Sequence, residues 1–197
     1  MSVSLTKGQK VSLTKENPGL KKIMVGLGWD AAEPKGFFQS LFGGASNIDC
    51  DASAILLQNG KYLDRSDIVY FNNLKHKSGS VVHTGDNLTG EGDGDDEQIL
   101  IDLSAVPQNY DKIVIVVNIY AAISRRQDFG MIRNAFVRIV DNSTGKEMLK
   151  YDLSENYPGM TAMIFGEIYR HNGEWKFNAV GMGTRDDSIQ ELANRFK

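Results

Sequence analysis

Thirteen residues of this chain, Gly85 to Glu97 within HTGDNLTGEGDGDDEQILIDL, hold six carboxylates and four glycines and no basic residue. Carboxylates this dense repel one another, and glycine adds backbone entropy that ordering must overcome. A dication reverses the sign of the problem, because repelling groups become ligands of one centre. Ca²⁺ takes about six to eight hard oxygen ligands at ~2.3–2.6 Å. Asp86, Asn87, Glu91, Asp93, Asp95, Asp96 and Glu97 supply such oxygens, while Gly85, Gly90, Gly92 and Gly94 supply bends and carbonyl ligands. The spacing departs from the D-x-[DN]-x-[DN]-G-x₅-E calcium pattern and no helical periodicity flanks it, so the reading is a strand-to-strand metal loop. Mg²⁺ fits less well, since it demands tight octahedral geometry and retains its waters. Zinc is poorly supported, with His76, His83 and His171 scattered and Cys50 alone. The bland alternative is a solvated acidic connection, against which the interleaved glycines weigh.

A second acidic pair, Asp49 and Asp51, alternates with Cys50 in NIDCDAS. On a strand, residues two apart share a face, so these carboxylates could join the loop or form another site. Asp30, after Trp29, is a weaker candidate. His83 could act as a general base, although an ordinary hydrogen-bonding role at a strand end is favoured. Arg125 and Arg126 could pair on an oxyanion, against a default of surface arginines. Trp29 and Trp175 read as packing, and GLGWD is too isolated to bind a nucleotide. Two functional classes follow: a calcium-ordered scaffold or interaction module, and a metal-dependent hydrolase or phosphate-handling enzyme using the acidic cluster. The sequence offers the second no evident nucleophile, acid or base, so a non-enzyme is favoured.

The elements that must position these groups are strands. Short runs rich in Val and Ile recur between Gly, Asn, Asp and Pro, and nine strands are expected at 22–29, 52–58, 67–73, 98–103, 112–120, 134–141, 147–153, 161–170 and 174–180. Asn172-Gly173 marks a two-residue hairpin turn, and DNSTGKE and LQNGKY read similarly. The expected architecture is all-β, an antiparallel sandwich with acidic metal-binding loops at one end, forming a single domain over 1–197. A short C-terminal helix is expected over 186–197, with Ile189, Leu192, Ala193 and Phe196 on one face and Asp186 or Asp187 as N-cap. It would cover an edge or open end of a sheet. The insertion 31–47 brings Phe37, Phe38, Leu41 and Phe42 together, as a short helix folded on the body or an exposed partner contact.

With 197 residues and 41% hydrophobic content, the chain can bury an ordinary core. Net charge is −3, but outside the acidic loop 19 acids face 22 bases, so the acidity is local. A nearly neutral body speaks against nucleic acid as partner. No run approaches a signal peptide or a membrane span, and one cysteine cannot form an internal disulfide, so a reducing cytoplasm is expected.

HTGDNLTGEGDGDDEQ resembles the signature of the TerD family of bacterial tellurium-resistance and general stress proteins. SLTKGQKVSLTKENPGLKKIMVGLGWD resembles the family's N-terminus, NIDCDAS a shortened form of its acidic element, and FNN, NAFVRIV, YDLSE and GEIYRHNGEWKFNAVG follow in order, over residues 2 to 183. The resemblance implies a β-sandwich holding two Ca²⁺ ions at one end through the Asp86 to Glu97 segment with Asp49, Asp51 and Asp30. It also implies a cytoplasmic part in resistance to tellurite and other stresses among protein partners of a stress-response complex, with peripheral membrane association expected through those partners. No enzymatic mechanism comes with it. Three departures mark a divergent paralogue similar to stress-operon members of Gram-positive bacteria: IYAAISRRQDFG replaces a His-Asp-Ala-Glu-Ala-Arg run, the 31–47 insertion is long, and GTRDDSIQELANRFK replaces the usual Gly-Gly-Leu-rich tail.

Overall fold

A computed structural model describes residues 2–15, 17–31, 48–85, 94–153 and 155–197. Among them twelve strands form two six-stranded sheets. They are β1 (Val3–Leu5), β2 (Lys10–Ser12), β3 (Lys22–Ala31), β4 (Cys50–Leu57), β5 (Ile68–Val69), β6 (Val81–His83), β7 (Glu97–Asp102), β8 (Lys112–Ile119), β9 (Ile132–Asp141), β10 (Lys146–Asp152), β11 (Ala162–His171) and β12 (Glu174–Thr184). The first sheet runs β1-β10-β9-β3-β7-β6 and the second β2-β12-β11-β8-β4-β5. Pairing is antiparallel throughout except that β1 lies parallel to β10. The sandwich expected from the sequence is therefore present. Three strands beyond the nine, β1, β2 and β6, span three residues each, too few to show a period of two. The expected 67–73 strand contracts to Ile68–Val69 with a bridge from Tyr70 to Asn73.

Alternation fills the core. Ile23, Val25 and Leu27 of β3 and Ile99 and Ile101 of β7 face Ile113, Ile115 and Val117 of β8, with the large rings of Phe165 and Phe177 fully buried. The outer face of the second sheet carries a second cluster, in which Ile55, Leu57, Val114, Val116 and Ile164 meet Leu192 and Ala193. Both faces of β4 and β8 are thus covered, which is why they read as nearly continuous apolar runs.

Leu192 and Ala193 belong to a C-terminal helix that is shorter than expected, Ile189–Asn194, and its N-cap is Ser188 rather than either aspartate. The Ser188 hydroxyl accepts from the Glu191 amide at 3.2 Å, and the Glu191 carboxylate accepts from the amide of Asp187, one residue before the cap, at 2.9 Å, a close variant of the capping box. The helix packs on a sheet face, not on an edge or open end. The Asn172-Gly173 turn has φ of 52° and 77°, and Asn59-Gly60 has 52° and 73°, the left-handed pair that two-residue hairpins need. Of the 31–47 insertion, Ala31 ends β3 and the rest lies outside the described residues.

Candidate metal centre

β6 and β7 deliver the acidic connection to the end of the sandwich where β3 finishes and β4 begins. The Asp96 amide donates to the Leu27 carbonyl at 2.7 Å, prolonging the pairing of β7 with β3. Just before it, Asp95 folds over the outer face of the first sheet. Arg138 of β9 grips it with both ends of a fork, Nε to Oδ1 at 2.7 Å and Nη2 to Oδ2 at 3.0 Å, and Gln98 adds Nε2 to Oδ2 at 3.2 Å. The Asp95 side chain is fully buried. Space for it exists only because β3 carries glycine: a Cβ on Gly26 would lie 2.3 Å from the Asp95 carboxylate, and one on Gly28 would lie 2.5 Å from the Phe136 ring. Asp95 holds Arg138 above its ordinary pKa, and Glu147 adds to this. Both oxygens of Asp95 accept from protein donors, which fastens the last turn of the acidic connection.

Glu97 turns the other way. It shares the parity of Ile99 and Ile101 and enters the sandwich, 2% exposed. Its Oε2 accepts the Ala52 amide of the opposite sheet and lies 3.6 Å from His83 Nε2. His83 in turn spans between Gly85, whose amide donates to Nδ1 at 3.1 Å, and the Ala52 carbonyl, 3.2 Å from Nε2. An imidazole accepting at Nδ1 donates at Nε2. These are the ordinary strand-end contacts favoured from the sequence.

Between the pinned neighbours, Asp96 sits at the rim, where its Oδ2 accepts from the Trp29 amide at 2.7 Å. Burial pushes its carboxyl pKa up, the Trp29 bond opposes this, and the charges of Asp30 and Asp95 add to the rise. Asp30 accepts from Asn134 Nδ2 at 2.8 Å. Trp29, Asp30, Asp96, Asn134, Phe136 and Lys150 line a groove of about 430 Å³ beside this rim.

Asp49 and Asp51 flank Cys50 at the start of β4. Cys50 and Ala52 face the core, so Asp51 shares the outer face with Ile55 and Leu57, and is itself buried. Asp49 lies 3.6 Å from Arg125 Nη1, and its carbonyl accepts the Tyr120 amide at 2.7 Å. Burial pushes the Cys50 thiol pKa well up, and Asp51, Glu97, Asp49 and Asp96 push in the same direction.

The expected ligands are therefore spread over one end rather than gathered at a point. Asp95 lies over the outer face of the first sheet, Asp30 and Asp96 at the rim, Glu97 within, and Asp49 and Asp51 at the second sheet. Among the described residues no three His, Cys, Asp or Glu side chains converge to hold an ion by themselves. Asp86, Asn87, Gly90, Glu91 and Asp93 lie outside the described residues. The chemistry of the donors fits a hard dication: they are carboxylate oxygens, and burial, with the charges of Asp30 and Asp95 adding to it, raises the Asp96 carboxyl pKa.

Sequence reading missed Arg138, whose signal was one cation inside the apolar strand NAFVRIV, and missed Gly26 and Gly28 as seats for Asp95 and Phe136. It also missed a polar knot near the other end of the sandwich. Buried Asp67 accepts from Tyr110 Oη at 2.7 Å, Lys77 Nζ at 2.9 Å and His76 Nε2 at 3.3 Å. His76 Nδ1 meets Ser78 Oγ at 2.6 Å and the Ser78 amide at 3.2 Å. Ser, His and Asp are the residue types of a hydrolase, but here His76 and Ser78 sit in one tight turn where the His76 ring accepts from the Ser78 amide, and the His76 amide donates to the Val81 carbonyl of β6 at 3.0 Å. Trp175 is buried beneath Arg170, 4.3 Å from the ring, and Trp29 packs against the core, so both indoles are packing groups.

Comparison with known proteins agrees with this architecture. The TerD domain matches residues 1–196. The chain is 57% identical to stress response protein SCP2 of Bacillus subtilis over 198 residues, the whole of both chains. It is 53% identical to tellurium resistance protein TerD of Serratia marcescens over 184 residues, 93% of this chain and 91% of that one. In fold it is similar to the crystal structure of a homologue of telluride resistance protein (TerD) from Streptomyces coelicolor A3(2), with a TM-score of 0.65 at 19% identity over 91% of this chain and 99% of that chain. With the fold, the full-length match and the acidic loop in agreement, the chain belongs to the TerD family.

Proposed function

We propose that the chain is a calcium-binding module of the bacterial stress response, acting as a scaffold or interaction domain whose acidic end is ordered by bound Ca²⁺. One observation carries this reading: Asp96 is held between two pinned neighbours, Asp95 under Arg138 and Glu97 against Ala52, so its carboxyl is kept beside Asp30 although burial first, and the charges of Asp30 and Asp95 after it, raise its pKa. A fold that spends anchors on holding like charges together is organised for a cation. Asp30 and Asp96 would hold one ion and Asp49, Asp51 and Glu97 another, each completed from the Asp86–Asp93 segment. The ion supplies charge neutralisation and cross-linking of β3, β4 and β7. The chain's own residues place the ligands.

The names of the relatives, a stress response protein and a tellurium resistance protein, support a role in tolerance of tellurite and other chemical stress. The lone buried cysteine suits a reducing cytoplasm. Melting in excess Ca²⁺ against chelator tests the reading. Linkage predicts a rise of about 5 °C or more with the ion. Equal melting in both buffers would remove the structural ion and the module with it.

A further inference from the structure

The end of the sandwich that carries the carboxylates also carries exposed apolar tips. β8 runs into a single helical turn, α1 (Ala122–Arg125), bounded by left-handed residues at Ala121 (φ 53°) and Arg126 (φ 55°). Its tip, Ile123 to Arg126, is exposed throughout. Ile123 is 64% exposed and Tyr120, at the end of β8, 49%. Met131, 41% exposed, reaches the same end from the turn before β9, because Ile132 and Arg133 pair with Ala31 and Asp30.

Arginines alternate with these tips. The Arg125 guanidinium lies 5.0 Å from the Tyr120 ring centroid and 3.6 Å from Asp49, while Arg126 and Arg133 are exposed. A protein partner would need a continuous face of roughly 500 Å² or more on this side. Separate apolar tips ringed by arginine suit a lipid interface, where a few side chains dip in and guanidinium groups fork onto phosphates.

We propose that this end docks on an anionic lipid surface when a dication neutralises its carboxylates. Ile123, Tyr120 and Met131 enter the interfacial layer, and Arg125, Arg126 and Arg133 meet the headgroup phosphates. The inference rests on the calcium reading, since without an ion the clustered carboxylates would repel the same surface.

The test is cosedimentation of the full chain with phosphatidylglycerol/phosphatidylcholine vesicles and with phosphatidylcholine alone, in Ca²⁺ and in chelator. Pelleting is expected only with anionic vesicles and Ca²⁺. Ile123→Ser should weaken it about tenfold, as losing one buried aliphatic side chain implies. Arg125→Gln with Arg126→Gln should weaken it further. Leu63→Ser removes a comparably exposed side chain, 61%, at the opposite end, and should leave binding unchanged. If Ca²⁺ raises the melting temperature yet no vesicles pellet, docking is overturned and the ion reading stands. If Ca²⁺ changes neither, both are overturned. Binding that ignores Ile123→Ser, or that neutral vesicles match, also overturns the proposal.

Discussion

Arg138 holds both carboxylate oxygens of Asp95 across the outer face of the first sheet, at 2.7 and 3.0 Å, above a glycine that leaves room for the pair. The last turn of the acidic connection is thus fastened by protein groups alone. Arg138→Met should cost about 2–3 kcal/mol, because the buried Asp95 charge loses its partner while the half-open side of the guanidinium moderates the loss. The loss should be alike in Ca²⁺ and in chelator. A loss seen only in Ca²⁺ would make Asp95 a ligand instead of an anchor. Gly26→Ala should produce a similar defect by pushing the carboxylate out of its seat.

Asp96 should behave in the opposite manner. Its folded pKa is raised, so its protonated form is favoured, and that stabilisation is full below the ordinary value of 3.8 and lost as pH rises through the folded pKa. At neutral pH in chelator, Asp96→Asn should therefore melt above the wild type, with the gap closing as pH falls toward the carboxylate range. In Ca²⁺ the order should invert, because the variant gives up a ligand. Calorimetric melting of both proteins in both buffers reads the inversion directly. Asp96→Asn melting below the wild type in chelator would contradict a carboxyl whose charge is disfavoured by burial and by the neighbouring Asp30 and Asp95.

These two adjacent aspartates show where sequence reading stops. Strand rhythm, the Asn-Gly turns and the acidic loop were legible because their signals are local, set by a period of two, by positive φ and by charge density. Sorting Asp95 from Asp96 was not legible, since the residue that separates them, Arg138, lies 43 positions from Asp95 and meets it only through the β3–β9 pairing. Parity likewise separates Glu97, inside the sandwich, from Asp51, on the outer face of the other sheet, though both belong to one acidic end. The Ser188 cap was legible as Ser-x-x-Glu, and the stronger acidity of Asp186 and Asp187 obscured it.

Cys50 should resist thiol reagents. Burial, then the charges of Asp51, Glu97, Asp49 and Asp96, hold its pKa well above the usual value of 9.0, so little thiolate exists at moderately alkaline pH. Native protein at about pH 8 should take up almost no iodoacetamide, and denatured protein should label fully. Rapid labelling of the folded chain would mean that the β4 start is open to solvent.

The Asp67 knot offers a pH signature of its own. Burial works to raise the Asp67 carboxyl, but bonds from Tyr110, Lys77 and His76 outweigh it and leave the pKa lowered. Its contribution is present above 3.8 and fades as pH falls through the depressed value. His76 is depressed by burial, with Asp67 opposing the shift, so its neutral form adds stability above 6.5 that is lost on acidification. Asp67→Asn should cost about 2 kcal/mol near neutrality through weakened charged hydrogen bonds. Without the Asp67 charge, His76 becomes harder to protonate in the fold, so acidification below 6.5 should destabilise the variant more steeply than the wild type. The melting difference should first widen with falling pH and then narrow as Asp67 of the wild type takes its own proton. A difference that stays constant across that range would show that His76 does not feel Asp67.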